Sequence, residues 1–139
     1  MTGNAAASAG ILPAAPPQTI LMIDDDPAMR TILGFSITAL GYVVLAAGDG
    51  EAALQIARDH PEIRLIMLDV VMSGLSGREL ADQLKIQLPE SAVLFCSGHP
   101  ASMMSHYNID LQLEHFLQKP CRPLDIRQKI EELLATATR

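Results

Sequence analysis

The stretch Thr19-Ile20-Leu21-Met22-Ile23-Asp24-Asp25-Asp26-Pro27 decides how the rest of the chain is read. Its uninterrupted apolar run from Ile20 to Ile23 predicts a strand covered on both faces, since a strand with one wet face alternates apolar with polar residues. The run stops at acid. Asp26 has the identity of a helix N-cap, and Pro27 suits a first helical position, where the missing N–H costs nothing. A helix over 27–40 follows, with Gly41 just past its end. A buried strand that ends in carboxylates and passes directly into a helix is the opening of a βα unit.

The same alternation continues along the chain. Tyr42 to Ala46 predicts a second strand, and Asp49 opens a helix in which Ala52, Ala53, Ile56 and Ala57 recur at helical spacing before Pro61 closes it. Leu65 to Leu68 predicts a third strand ending at Asp69, after which a loop with Gly74 and Gly77 leads into a helix over 77–87. Ala92 to Cys96 is the fourth strand, followed by Ser97-Gly98-His99-Pro100 and a weakly patterned short helix through Tyr107. Glu114 to Gln118 is the fifth, followed by Lys119-Pro120 and a helix over 123–136 that carries Leu124, Ile126, Ile130, Leu133 and Leu134. Five βα units predict an α/β fold: one doubly wound parallel sheet with helices on both faces. Residues 1–17, dominated by Ala, Gly and Pro, are expected to form a flexible leader or linker, which leaves 18–139 as one domain.

Composition narrows the class. A chain of 139 residues encloses one substantial core, and with 49% hydrophobic but only 4% aromatic residues that core is aliphatic. A net charge of −6 removes the basic footprint of direct nucleic-acid binding. The only cysteines, Cys96 and Cys121, have no disulfide-framework spacing, so a reducing compartment, the cytoplasm, is expected. No apolar run is of membrane-spanning length, and the N-terminus lacks a signal-peptide layout, so neither membrane insertion nor secretion is expected. His60, His99, His106 and His115 form no metal-ligand pattern and are taken as surface or loop residues, while Met22, Met67 and Cys96 are taken as core.

Function is read from the strand ends, because in an open parallel sheet the ligand crevice lies beyond the carboxyl edge. Asp24, Asp25, Asp69, Ser97 and Lys119 all fall at that edge. Carboxylates about 4 Å apart repel by roughly 4 kcal/mol per pair at an effective dielectric near 20, so the crevice needs positive charge. Lys119 supplies one, and an oxygen-rich site suits a hard divalent cation, Mg²⁺ with Mn²⁺ as the substitute, bringing three Asp, one Lys and one cation to zero. A carboxylate in such a site can act as a nucleophile toward phosphorus, with the cation, the ammonium and the Ser97 hydroxyl neutralising the equatorial oxygens. Taken singly, each residue has a plainer role: Asp24 to Asp26 as helix-start acids, Asp69 as a turn residue, Ser97 as a helix-start hydroxyl, Lys119 as a surface cation. Their coincidence at one edge is what points to chemistry.

These residues resemble the response-regulator receiver domains of two-component signalling over about Gln18 to Ala135. The resemblance rests on Ile23-Asp24-Asp25-Asp26-Pro27, Leu68-Asp69-Val70-Val71-Met72 with Gly77, Ser97-Gly98 and Lys119-Pro120, in order and at the family's separations. It implies a flavodoxin-like strand order of 2-1-3-4-5, with Asp69 as phosphoacceptor for a histidine kinase or histidine phosphotransfer protein. It also implies that Asp24, Asp25, Asp69 and the Val71 backbone carbonyl arrange Mg²⁺, that Ser97 and Lys119 contact the phosphoryl oxygens, and that the Lys119-Pro120 peptide is cis. Ser97 and Phe116 become the switch pair; Phe116 has no hydroxyl, so its inward state would rest on packing alone. Val71 and His99 stand where the family tunes phosphoryl lifetime, and apolar Val71, unable to orient water, implies slow self-hydrolysis. Partner exchange or homodimerisation would use the fourth helix, fifth strand and last helix, around Met103 to Tyr107 and Asp125 to Lys129. Such a domain catalyses its own phosphorylation and dephosphorylation as a switch rather than as a turnover enzyme.

One departure stands out: Ser73 follows Met72 where the family usually has proline, so a looser loop is expected. Nothing after the last helix is long enough for an effector domain, so output is expected through partners, dimerisation or a larger parent such as a hybrid histidine kinase. The alternative is a pseudo-receiver, a phosphorylation-independent interaction module of the same fold. A flavin-binding protein or nucleotide hydrolase is disfavoured, since the loop after the first strand is acidic and no Gly-rich loop ends in Lys-Ser or Lys-Thr.

Overall fold

The computed structural model describes residues 16–72 and 76–137, with the side chains of 136 and 137 outside that description. The leader through residue 15 and the loop residue Ser73 therefore lie outside the described residues. Five strands, β1 (Thr19–Ile23), β2 (Val43–Ala47), β3 (Ile63–Asp69), β4 (Ala92–Ser97) and β5 (His115–Gln118), form one sheet in the order β2-β1-β3-β4-β5. Every neighbouring pair is parallel. The helices are α1 (Pro27–Ala39), α2 (Gly50–Asp59), α3 (Gly77–Gln87) and α4 (Pro123–Ala137), with a 3₁₀ helix over Ala101–Tyr107 between β4 and β5.

Alternate side chains of each central strand feed two cores, as a sheet covered on both faces requires. Leu21, Ile23, Ile66, Leu68 and Phe95 pack with Ala53 and Ala57 of α2, Leu80, Ala81 and Leu84 of α3 and Met104 of the 3₁₀ helix. Ile20, Met22, Leu65, Met67, Leu94 and Cys96 pack with Leu33 and Ile37 of α1 and Ile126, Ile130, Leu133 and Leu134 of α4. The expected three-layer arrangement is therefore present. Its helix signals act as read: the Asp26 carboxylate caps α1 by accepting from the amides of Ala28 at 3.0 Å and Met29 at 3.4 Å. Asp49 caps α2 through the Ala52 amide at 2.8 Å. Gly41 leaves α1 with φ +103°, a conformation that glycine adopts without steric cost.

Several ends shift by one residue, and two elements differ by more than that or in kind. β3 begins at Ile63, two residues earlier than the apolar run, and Arg64 is an extra residue where the register against β1 shifts between Thr19 and Ile20. A half-buried arginine that turns back to the Pro61 and Ile63 carbonyls hides the strand start from hydrophobic patterning. The weakly patterned helix before β5 is a 3₁₀ helix that buries Met104 in the core, packs Tyr107 against it and stops at Asn108, whose φ is 61°.

One contact fixes α3 against the sheet edge. The Gly77 amide donates to the Val70 carbonyl at 3.0 Å. A Cβ on Gly77 would stand 2.7 Å from the carbonyl oxygens of both Asp69 and Val70, backbone atoms that cannot swing aside. We expect Gly77→Ala to destabilise the fold by about 1–3 kcal/mol, the range of core overpacking, in spite of alanine's better helix propensity. Urea denaturation measures this directly; an unchanged or raised midpoint would contradict the packing described.

Candidate functional site

The site is assembled by topology: β1 and β3 are adjacent, so Asp24 and Asp69 emerge side by side, and β5 brings Lys119 to the same edge. The Asp24 amide continues the β1–β2 ladder by donating to the Ala47 carbonyl at 3.1 Å, and its Oδ1 accepts from the Asp26 amide at 3.0 Å. At 2% exposure Asp24 is a buried carboxylate and needs a cation. Lys119 provides it: Nζ lies 2.5 Å from Asp24 Oδ2 and 3.3 Å from Asp69 Oδ2. The other Asp69 oxygen, Oδ1, accepts from the Val71 amide at 3.4 Å. Lys119 is held in turn by its own amide, which donates to the Ser97 carbonyl at 2.8 Å, and the Lys119-Pro120 peptide is cis.

Carboxylate oxygens of Asp24, Asp25 and Asp69 all lie within 4.8 Å of one another, at the edge of an open cleft of about 540 Å³. The cleft is lined by Asp24, Asp25, Asp26, Met29, Asp69, Gly98, Lys119 and Pro120. With Lys119 the three carboxylates leave a local surplus of negative charge. Three hard oxygen donors converging on solvent are the donor set that suits Mg²⁺, which keeps several waters and asks few ligands of the protein. Of the residues expected at the site, Asp24, Asp25, Asp69 and Lys119 are thus brought together.

The others take different positions. Ser97 ends β4 fully buried, its Oγ accepting from the His99 amide at 2.9 Å, while Gly98 rather than Ser97 lines the open cleft. Val71 is exposed beside Asp69. Phe116 is half-buried against the α2–α3 core and is registered opposite Phe95 in β4. His99 is exposed, its ring 5.5 Å from that of Tyr107. Cys96 is buried in the α1–α4 core, as expected, and that burial pushes its thiol up to about 12. Sequence reasoning did not single out Arg30, whose guanidinium donates to the Asp24 carbonyl at 2.8 Å. Nor did it find the ion pair of Arg78 with Glu114, which ties α3 to the start of β5 while the guanidinium covers the Phe95 ring at 5.2 Å. Both arginines act across elements, so no local pattern announces them.

Electrostatics acts differently on Asp69 and on the Lys119 ammonium paired with it. Burial pushes the Asp69 carboxyl above the ordinary aspartate range; the Lys119 charge pulls it down and the Asp24 charge pushes it up. For Lys119, burial opposes the charged form but is outweighed by the Asp24 hydrogen bond and the Asp69 and Asp24 charges, so its ammonium is held more tightly than usual. Ionisation of Asp69 therefore costs stability: rising pH between its unfolded and raised folded values weakens the fold through this group. In Mg²⁺-free buffer we expect Asp69 to titrate above a free aspartate and Lys119→Met to raise it further, both read by carboxyl ¹³C NMR. A lower value in Lys119→Met would contradict the assignment of Lys119 as the cation that keeps Asp69 ionised.

Comparison with known proteins agrees with this geometry. Residues 20–131 match the family described as the response regulator receiver domain. Among curated proteins, the chain is 33% identical over 116 residues to the response regulator MprA of Mycobacterium leprae (strain TN), covering 83% of this chain and 50% of that protein. It is 29% identical over 116 residues to the alkaline phosphatase synthesis transcriptional regulatory protein PhoP of Bacillus subtilis (strain 168), covering 83% and 48%. The chain thus spans about half the length of these relatives. Among solved structures, the receiver domain from the hybrid histidine kinase CckA superposes with a TM-score of 0.71 at 31% identity, covering 84% of this chain and 98% of that one. The family match covers most of the chain, and the strand order and acidic edge are the ones its sequence motifs imply: the chain belongs to the response regulator receiver domain family of two-component systems.

Proposed function

We propose that this receiver domain takes a phosphoryl group on Asp69 from a histidine kinase or histidine phosphotransfer protein and thereby switches a partner-binding surface. The observation that carries the proposal is the Lys119 ammonium lying between Asp24 and Asp69 at the mouth of an acidic cleft, with Asp25 alongside. In the transfer, an Asp69 carboxylate oxygen forms a bond to phosphorus as the P–N bond to the donor imidazole breaks, and the electron pair returns to the ring nitrogen. Lys119 keeps the nucleophile ionised and lies beside it, where charge grows on the phosphoryl oxygens. Asp24, Asp25 and Asp69, with the Val71 carbonyl, would hold Mg²⁺. When bound, the cation supplies a hard positive charge that offsets the phosphoryl oxygens.

The switch assigned to Ser97 and Phe116 has support in their surroundings. The Ser97 Oγ is held as an acceptor by the His99 amide, so its O–H remains a donor for an incoming oxygen. Phe116 borders the α2–α3 core while only half-buried, which leaves it room to pack further inward. Val71, exposed next to Asp69, and His99, linked through its amide to Ser97, are the residues proposed to set phosphoryl lifetime. The output face would combine the 3₁₀ helix, β5 and α4, where Met103 is an exposed apolar side chain. The leader of residues 1–17, the domain of 18–139 and a cytoplasmic setting belong to the same proposal, and no helix among the described residues is long and apolar enough to cross a membrane.

The test is incubation with acetyl phosphate followed by intact mass. We expect a gain of one phosphoryl group in Mg²⁺, lost in EDTA and lost in Asp69→Asn. Gain that persists in Asp69→Asn would refute the acceptor assignment. Folded protein that gains nothing from acetyl phosphate or from phosphorylated kinases would leave the phosphorylation-independent interaction module as the function.

A further inference from the structure

The acidic turn that follows β1 is held from a direction the proposed chemistry does not use. Arg30 lies one turn into α1, and its Nη1 donates to the Asp24 carbonyl at 2.8 Å. That carbonyl belongs to the peptide joining Asp24 to Asp25, so the bond fixes the plane from which the Asp25 side chain departs. Asp24 is otherwise anchored at its amide, by the Ala47 carbonyl at 3.1 Å, and at its carboxylate, by Lys119 and the Asp26 amide. The arginine thus completes the restraint of the turn, and a charged donor makes the stronger kind of hydrogen bond.

Arg30 has its own seat. Gly48, the residue after Ala47, lies directly under the guanidinium: a Cβ there would stand 2.7 Å from Nη1, 3.1 Å from Cζ and 3.5 Å from Nη2. The three atoms nearest that Cβ all belong to the Arg30 guanidinium. A side chain at position 48 would therefore displace the flexible arginine rather than the fold. The glycine is accordingly explained by the arginine it accommodates, and the pair ties the end of β2 to the turn after β1.

We propose that Arg30 is a positioning residue for the Asp24–Asp25 turn, seated on Gly48, and that its role is to hold these two carboxylates in the arrangement that binds Mg²⁺. The inference rests on the proposed Mg²⁺ role of Asp24 and Asp25. Groups that orient metal ligands without touching the metal typically change affinity by about 10–100-fold when removed.

The experiment is calorimetric titration of the full chain with magnesium chloride, for wild type, Arg30→Met, Gly48→Ala, the double variant and Leu133→Ala. Leu133 is buried in the α1–α4 core away from the turn, so its variant reports what loss of stability alone does to affinity. We expect the dissociation constant to rise about tenfold in each single variant at the turn and no further in the double, while Leu133→Ala melts earlier yet binds as wild type. Wild-type affinity in Arg30→Met or Gly48→Ala, or additive losses in the double variant, would overturn the proposal, as would an equal loss in Leu133→Ala. If Arg30→Met does not fold, Gly48→Ala decides, because the closest conflicts of its added Cβ are with the flexible end of the arginine. Absence of binding in wild type would instead refute the Mg²⁺ role on which the inference rests.

Discussion

The ion pair of Lys119 with Asp24 is the interaction on which the rest of the structure depends. Asp24 is a carboxylate with 2% exposure at the end of a fully buried strand, and an unpaired charge there would cost several kcal/mol or force protonation. The ammonium that satisfies it comes from β5, at the far side of β3 and β4, so the pair can form only when the sheet is complete in its order. The same ammonium lies 3.3 Å from Asp69, so the cation that neutralises a structural charge also faces the proposed acceptor. Its position is fixed from behind by the Lys119 amide on the Ser97 carbonyl, a bond that also joins the ends of β4 and β5.

The cleft is built at a cost in stability, and that cost is visible in Asp69. Burial raises its carboxyl, and Asp24 raises it again, against the pull of Lys119. The negative charge that remains on the three carboxylates beside Lys119 is what favours the Mg²⁺ role proposed for them. Gly77 serves the same geometry, because only a residue without a side chain lets α3 begin against the Asp69 and Val70 carbonyls.

Most of the fold was legible because its signals are local. The apolar run of β1, the Asp26 and Asp49 caps and the proline at the start of α1 each act within a few residues, and each appears where the sequence put it. The carboxylates were legible for a topological reason: parallel strands end at one edge, so Asp24, Asp69 and Lys119 had to meet. What escaped depends on contacts between distant segments. The extra residue Arg64 lengthens β3 behind a charged side chain, and Arg30 reaches back to the turn over Gly48. In a sequence these are a strand breaker and a helix-surface arginine.

The central claim is that this crevice delivers phosphorus to one carboxylate among several within a few ångströms. Its most direct test is to phosphorylate the chain with acetyl phosphate in Mg²⁺, trap the acyl phosphate by borohydride reduction and locate the reduced residue by peptide mass spectrometry. Reduction is expected at Asp69 alone. Reduction at Asp24 or Asp25, or an unmodified Asp69 in protein that has taken up phosphoryl, would contradict it.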